Sequence, residues 1–506
     1  MAAVTLKNET GERVLAAFKK TPLTLIYAAI GVLSVLLLSV VTSRFVYPFD
    51  TGHYEAFNWQ PARHVLMGKS PYSFAFAPPY SMAPYGIVYY ALLAAGVGLF
   101  GFQLLWGRIL SFLAFTACLW AVAKITKKIS KSTETSLVAL LAGLAVFPAQ
   151  GWVAVMRPDF VALAFSLMAV LLVFGAEGRR AGFWRLVGAV LLSAAAFFTK
   201  QTFLLVPVVC ALRLLQLRNW RGAFWFASSY VTLAGAGVLL LDYVSSGGYV
   251  WQHFTHARTL PYSFANSLYL AGEVLKVPTA IIFGGGLLTF AYEGREALYK
   301  AGGGRLIKLL RSSGSLILFY LLLSFLWAFL SAGRAGANLN YYLENSMAMA
   351  ICFALIHASF KRKGRPIAAS LMVILMTLGG SFQLARILRG EYFRWQALNY
   401  YREVSGTAAK LTPPNSTCVS VYPELVVRNG CQFHFDDFGE YVGGWSPGLS
   451  EIFARELRAG RYPVIIWNTN DLQAQFPNYH LVPMSQSPPE RFLPVYLYVR
   501  SGDAPQ

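Results

Sequence analysis

The sequence predicts an all-helical, polytopic membrane protein with about eleven transmembrane helices, one juxtamembrane helix and a small C-terminal α/β domain. Of its 506 residues, 56% are hydrophobic and only 13% are charged, whereas a soluble globular chain carries roughly 25% charged residues. Apolar stretches near the ~20 residues needed to cross a bilayer recur before position 385. The region after position 400 is instead rich in proline, asparagine and charge.

The first helix is predicted to begin near Leu23 and to be retained, because no small-residue cleavage site follows it. Lysine and arginine then concentrate in alternate loops, namely the N-terminus and 124–131, 179–185, 213–221, 295–311 and 361–365. Cytoplasmic loops carry such an excess. The pattern therefore predicts a multi-pass protein of a bacterial inner membrane, with a cytoplasmic N-terminus and an extracytoplasmic C-terminal domain.

The apolar segment 85–102 is predicted to be a juxtamembrane helix on the outer face. It is short and broken by four glycines, and counting it as a crossing would reverse every later loop. The predicted transmembrane domain is thus 1–385, with a first outer loop at 44–84. The C-terminal domain is 386–506, with strand-like runs at 418–422, 464–467 and 494–499.

Charge and cysteine content narrow the classes of partner. The net charge is +20, but the basic residues form no single patch interleaved with stacking aromatics, so nucleic acid is not expected. Cys418 and Cys431 lie in the polar C-terminal region and could form a disulfide if that region faces an oxidising compartment.

The first outer loop carries the most informative segment, FDTGHYEAFNWQ. It places Asp50, His53, Tyr54 and Glu55 just after the first helix. Solvation at a helix end would explain one such polar residue. The whole loop, rich in aromatic side chains, instead favours an interfacial, sugar-contacting cleft.

Three later outer segments add polar residues to the same face. Arg157 and Asp159 open an apolar helix, where charge is costly unless paired or placed in a polar cavity; a mutual pair is the simpler alternative. Lys200 and Gln201 separate two apolar runs, and the alternative there is a lysine that snorkels to the surface. The fourth segment, which could be an ordinary polar turn, contains Arg334, Asn340 and Tyr341.

Carboxylates and cations on one outer face suggest a particular chemistry. The sequence has neither a phosphate-loop motif nor a zinc spacing. Nucleotide sugars are not expected outside the cytoplasm, so a transferase there needs a donor carried in the lipid, a polyprenyl-phosphate sugar. One carboxylate would deprotonate the acceptor hydroxyl, and cations would stabilise the phosphate that leaves.

These motifs, in this order, resemble those of the GT-C superfamily of membrane glycosyltransferases, especially the branch of the protein O-mannosyltransferases and the lipid A aminoarabinose transferase. The resemblance implies that Asp50 is the catalytic base and that Lys200 and Arg334 bind the donor phosphate. We further predict that Glu55 and His53 assist Asp50 by positioning, and that Arg157 also binds the phosphate. His53, Tyr54, Gln201, Asn340 and Tyr341 would contact substrate. Asp159 matches a position that helps bind a divalent metal, Mg²⁺ or Mn²⁺, in some members, although neither loop here contains Asp-x-Asp.

The sequence therefore predicts inverting transfer of a sugar from a polyprenyl-phosphate donor to a glycan, lipid or protein acceptor, by an enzyme surrounded by membrane lipids. A polytopic transporter or flippase for a glycolipid is the alternative, and it would place ionisable residues near the bilayer midplane. A scaffold for the C-terminal domain would explain the helices but not the convergence of polar segments.

Overall fold

A computed structural model describes residues 22–51, 55–75, 82–174, 182–275, 313–413, 416–420, 422, 424–427, 432–435, 447–467, 472–485 and 495–501. The chain is mostly helical up to residue 411 and then forms a small sheet. The helices of eight or more residues are α1 Pro22–Val46, α2 Trp59–Leu66, α3 Ile87–Phe100, α4 Leu104–Ser130, α5 Thr133–Ala145, α6 Asp159–Phe174, α7 Phe183–Phe197, α8 Leu205–Gln216, α9 Trp220–Val244, α10 Phe264–Leu275, α11 Ser313–Ala332, α12 Leu343–Arg362, α13 Pro366–Gln396, α14 Leu398–Leu411 and α15 Pro447–Arg458.

Six of these helices are long and apolar enough to cross a membrane: α1, α4, α9, α11, α12 and α13. Helices α3, α5, α6, α7 and α8 are apolar but shorter. A multi-pass membrane protein is thus confirmed in outline. Residues 276–312 lie outside the described residues, so eleven crossings stay a prediction.

The helices form one bundle in which α4 packs against α5 and α6, α1 against α13, and α12 against α5 and α11. Close contact between membrane helices depends on small residues, since lipid gives apolar side chains little reason to associate. Gly107 illustrates this in α4. A Cβ there would lie 2.1 Å from Cγ of Met156, so only glycine lets the chain before α6 approach α4 so closely.

Helix α3 occupies the segment predicted to be juxtamembrane, and its N-terminus is fixed to the turn after α7. The amide of Gly86 donates to the Thr199 carbonyl at 3.0 Å, and that of Val88 donates to the Phe198 carbonyl at 2.9 Å. A Cβ on Gly86 would lie 1.9 Å from the Phe198 oxygen. This junction places α3 next to Lys200.

The C-terminal region contains a mixed five-stranded sheet of order β2-β1-β3-β5-β4. The strands are β1 Thr417–Ser420, β2 Gln432–Phe435, β3 Val464–Trp467, β4 Tyr479–Leu481 and β5 Tyr496–Arg500. Strand β1 is parallel to β2 and β3, whereas β5 is antiparallel to β3 and β4. The three strand-like runs in the sequence correspond to β1, β3 and β5, while β2 and β4 were not predicted.

The boundary between helices and sheet is not sharp. Helix α13 continues past the predicted boundary at 385 and ends at Gln396. Tyr47 and Phe49 of the first loop share one apolar cluster with Tyr401 of α14 and Leu425. The C-terminal region therefore packs directly on the first loop, which contains the proposed catalytic residues.

Candidate functional site

A buried arginine holds the first loop against α4. Arg108 is 1% exposed and donates to the carbonyl oxygens of Arg44 and Tyr47 at 2.5 Å and of Phe49 at 2.6 Å. Its Nε and Nη2 also donate to the two carboxylate oxygens of Glu55, at 2.9 and 2.7 Å. One guanidinium thus fixes the path of the chain on both sides of Asp50.

Glu55 is fully buried and its remaining hydrogen-bonding capacity is used by other donors. Oε2 accepts from the amide and hydroxyl of Thr51 at 3.0 Å, and Oε1 accepts from the Met156 amide at 2.7 Å. Burial alone would raise the pKa of Glu55, but Arg108 and these donors hold that pKa well below its usual range. We therefore assign Glu55 a structural role in the loop; the catalytic role predicted for it has no support from these contacts.

Asp50 lies between this clamp and the C-terminal region. Its Oδ2 accepts a hydrogen bond from the amide of Glu55. Its own amide donates to Oε1 of Glu424 at 3.0 Å. Glu424 opens the short helix Glu424–Val427 that follows β1. The first loop and the C-terminal region therefore both orient Asp50.

A basic cavity of about 490 Å³ opens beside this loop. Its lining includes Arg157, Lys200 and Arg334, as well as Arg258, which the sequence analysis missed. Apolar side chains complete the walls, among them Leu204, Leu260, Trp327 and Leu330. No carboxylate is among the described residues that line the cavity, so its charge suits an anionic ligand with an apolar tail.

Lys200 and Asp159 form a buried ion pair at the wall of the cavity. The ammonium nitrogen lies 2.5 Å from Oδ1 of Asp159, and the side chains are 7% and 2% exposed. The side-chain amide of Asn340 donates to the same oxygen at 2.9 Å. The Lys200 ammonium also lies over the Tyr341 ring, 4.8 Å from its centroid. Asp159 thus pairs with Lys200, 41 positions away, and the simpler Arg157–Asp159 pair is not what fixes it.

Arg157 links the cavity to the first loop. Its guanidinium lies 5.2 Å from the Tyr85 ring centroid and 5.6 Å from that of Trp152. Burial lowers the pKa of Arg157, but Tyr85 and the carboxylates of Asp159 and Asp50 outweigh burial and raise that pKa. The group stays charged, and Asp50 is close enough to act on it.

Backbone contacts explain this proximity. Met156 precedes Arg157, and its amide donates to Glu55 while its carbonyl accepts from the Asn58 side chain at 3.1 Å. The first loop is thus fastened to the chain that carries Arg157. Asp50 and the cavity cations lie at the same end of the bundle.

Three further lining residues are His253, which the sequence analysis did not single out, and the predicted residues Arg334 and Gln201. The ring nitrogens of His253 lie 3.0 Å from the Tyr249 carbonyl oxygen and 3.3 Å from that of Tyr85, and a neutral ring donates to one of these two oxygens. Burial lowers the pKa of His253 to about 4, so its ring is neutral at physiological pH. Arg334 lies where residues 333–335 bond to 261–263 through backbone hydrogen bonds, and Gln201 donates to the Tyr249 hydroxyl at 3.4 Å.

Not every predicted residue can be located. His53 and Tyr54 lie outside the described residues. Cys418 is disulfide-bonded, whereas Cys118, Cys210 and Cys352 are free thiols; Cys431 lies outside the described residues. Arg108, Arg258, His253 and Glu424 were not predicted. Arg108, His253 and Glu424 each contact residues distant in sequence, and Arg258 lies at the cavity only through the fold.

The two oxygens of Asp159 have different surroundings. Oδ1 pairs with the Lys200 ammonium, whereas Oδ2 is buried and has no hydrogen-bond partner among the described residues. Within the described ranges, no three His, Cys, Asp or Glu side chains lie together in an arrangement that could hold a metal ion. The divalent metal therefore stays a prediction.

Comparison with known proteins identifies the fold. No protein-family model and no curated protein sequence matches this chain. The crystal structure of ArnT from Cupriavidus metallidurans bound to undecaprenyl phosphate is 12% identical, has a TM-score of 0.62, and covers 94% of this chain and 98% of its own. The apo form of that protein gives 11% identity, a TM-score of 0.61 and the same coverage.

A more distant likeness is to the Archaeoglobus fulgidus oligosaccharyltransferase AglB in complex with an inhibitory peptide and a dolichol-phosphate. It has 12% identity and a TM-score of 0.49, and covers 89% of this chain and 71% of that one. The chain therefore shares the fold of ArnT over almost its whole length, which agrees with the resemblance given by the sequence motifs.

Proposed function

We propose that this protein is a glycosyltransferase that moves a sugar from a polyprenyl-phosphate donor to an acceptor hydroxyl at the outer face of a bacterial inner membrane. The observation that carries the proposal is the basic, partly apolar cavity, whose lining residue Arg157 lies within electrostatic reach of Asp50. A lipid phosphate has a negative charge, which suits the basic residues of the lining, and an apolar tail, which suits the apolar ones. ArnT, which shares the fold, binds undecaprenyl phosphate in its crystal structure, and this supports the same class of donor.

The proposed reaction assigns separate tasks to the loop and the cavity. Asp50 takes the proton of the acceptor hydroxyl, whose oxygen attacks the anomeric carbon from the side opposite the phosphate. The bond between that carbon and the phosphate oxygen breaks, and its electron pair leaves with the polyprenyl phosphate. The sugar is transferred with inversion.

The cations of the cavity would receive the charge that develops on the leaving phosphate. Arg157 is the best placed, because it stays charged and lies near Asp50. Lys200 and Arg334 would complete the phosphate site. Asn340 and Tyr341 hold Asp159 and Lys200 respectively, so we propose that they shape the donor pocket, with Gln201 at its wall.

The test is Asp50→Asn in purified enzyme supplied with polyprenyl-phosphate sugars and an envelope extract as acceptor. Release of polyprenyl phosphate, followed by mass spectrometry, should fall about 10²-fold or more if a general base is lost. The matched control is Glu134→Gln, which removes a carboxylate that pairs with Lys361 and does not line the cavity. Turnover by Asp50→Asn at the wild-type rate would exclude Asp50 as the base.

Proteoliposomes distinguish this proposal from a glycolipid transporter. A transporter would move the labelled lipid across the bilayer and leave it intact, whereas a transferase releases polyprenyl phosphate. Mass spectrometry of envelope glycans from cells with and without the protein would then identify the sugar and the acceptor.

A further inference from the structure

Glu424 is a buried carboxyl group in the C-terminal region that the proposed reaction does not use. It is 2% exposed and lies at the start of the short helix Glu424–Val427. Aromatic contacts join this region to the first loop: Phe49 lies 5.8 Å from Tyr401, and Tyr401 lies 6.2 Å from Tyr422, between ring centroids. Tyr401 thus packs between the first loop and the segment that carries Glu424.

Its two oxygens have different surroundings. Oε1 accepts the Asp50 amide at 3.0 Å, whereas Oε2 is buried and has no partner among the described atoms. A buried carboxylate with an unpaired oxygen is costly in its charged form. Burial, together with the negative charge of Asp50, raises the pKa of Glu424 to about 8.

Several other titratable groups lie near Glu424. Glu55 acts on it as a second negative charge from the first loop. Tyr47, after α1, and Tyr401, on α14, are within electrostatic reach of Glu424, and Arg394 of α13 acts on both tyrosines as a positive charge. Cys418 of the adjacent strand β1 is disulfide-bonded and does not titrate.

We propose that Glu424 is a positioning residue for Asp50, so that the C-terminal region completes the site and its protonation state controls the activity of Asp50. This inference rests on the proposed function. While Glu424 is neutral, it accepts the Asp50 amide and leaves one negative charge at the base. Once Glu424 ionises, two carboxylates share a buried site and repel each other, which displaces the Asp50 segment.

The first arm of the test is the pH profile of transfer. Wild-type kcat should decline as the pH rises through about 8, since Glu424 ionises there. Glu424→Gln stays neutral at every pH and its amide oxygen can still accept the Asp50 amide, so it should retain activity at pH 7 and lose this decline. Glu424→Ala, which removes the acceptor, should lower kcat about 10-fold to 100-fold with a smaller change in KM.

The second arm needs no donor and uses the thermal midpoint of the purified protein as a function of pH. A carboxyl whose pKa is raised by folding contributes stability that is complete below its unfolded pKa and is lost as the pH rises through about 8. The wild type should show this loss, and Glu424→Gln should not. Glu456→Gln is the matched control, because Glu456 is a carboxyl of the same region that pairs with Arg461.

The outcomes separate the two hypotheses. A wild type that transfers no sugar overturns the proposed function, and the thermal arm still decides whether Glu424 titrates against Asp50. Transfer by the wild type with the same alkaline decline in Glu424→Gln overturns the inference and leaves the proposed function standing. Equal thermal profiles for wild type and Glu424→Gln also overturn the inference.

Discussion

Replacing Arg108 by methionine should destabilise the protein and disorganise the first loop. The substitution removes five hydrogen bonds: two to Glu55 and three to the carbonyl oxygens of residues 44, 47 and 49. It also leaves the Glu55 carboxylate buried without its cation. Removing one partner of a buried ion pair costs about 3–5 kcal/mol.

The surviving contacts of Glu55 set where in that range the cost falls. Thr51 and Met156 still supply three donors to the carboxylate, which favours the lower end. The three carbonyl oxygens, however, lose a charged donor, and each buried unpaired group costs ~1–3 kcal/mol. Taking the lower end of both ranges, about 3 kcal/mol for the ion pair and about 1 kcal/mol for each of the three carbonyl oxygens, we expect the free energy of unfolding to fall by about 6 kcal/mol.

A double-mutant cycle can isolate the ion pair from these other contacts. Chemical unfolding in detergent would be measured for Arg108→Met, Glu55→Gln and the double variant. Because Glu55→Gln removes the buried negative charge, the double variant should be less destabilised than the sum of the single variants, by ~1–3 kcal/mol. Arg108→Lys keeps the charge but cannot reproduce the planar fork, so it should remain destabilised.

The reasoning fails if Arg108→Met unfolds at the wild-type denaturant concentration. It also fails if the two single substitutions are additive, since the carboxylate and guanidinium would then not act as a pair. Either result would mean that contacts other than the Arg108–Glu55 pair hold the first loop.

Two further substitutions test the cavity. Lys200→Met should lower the free energy of unfolding by about 3 kcal/mol, because the buried Asp159 carboxylate then has no cation to pair with. Adding Asp159→Asn should restore the thermal midpoint but not the transfer of sugar. If transfer recovered as well, Lys200 would be excluded from phosphate binding. Arg157→Lys keeps a charge but loses the stacking of a planar group on Tyr85 and Trp152, so KM for the lipid donor should rise about 10-fold while the thermal midpoint stays within a few degrees; an unchanged KM would contradict the proposed contact.

The sequence predicts the lining of the cavity better than it predicts the partners of each residue. Polar residues that interrupt apolar helices are costly there, so Arg157, Lys200 and Arg334 could be recognised from their local surroundings. Their pairing could not, because Lys200 and Asp159 are 41 positions apart and the adjacent Arg157 was an equally plausible partner. The residue types alone do not identify the ion pair, because its two members are buried and far apart in the sequence.

Arg108 is a second residue whose partners could not be predicted from the sequence. It lies inside an apolar helix, where the sequence gives no sign of whether the guanidinium points to lipid, to the cytoplasm or to a carboxylate. Only the close approach at Gly107 and the folded first loop bring Glu55 and three carbonyl oxygens to it. The sequence located the loop correctly, yet it could not separate the residue that holds the loop from the residue proposed to act.

That separation is the strongest structural argument for Asp50 as the base. Glu55 cannot take a proton without losing its ion pair with Arg108, since its contacts favour the charged form. Glu424 favours its neutral form at neutral pH and so is a poor acceptor. Three carboxyl groups meet at the first loop, and the arguments that exclude Glu55 and Glu424 as the proton acceptor do not apply to Asp50. It also acts on Arg157 at the cavity wall, where the leaving phosphate of the proposed reaction would bind.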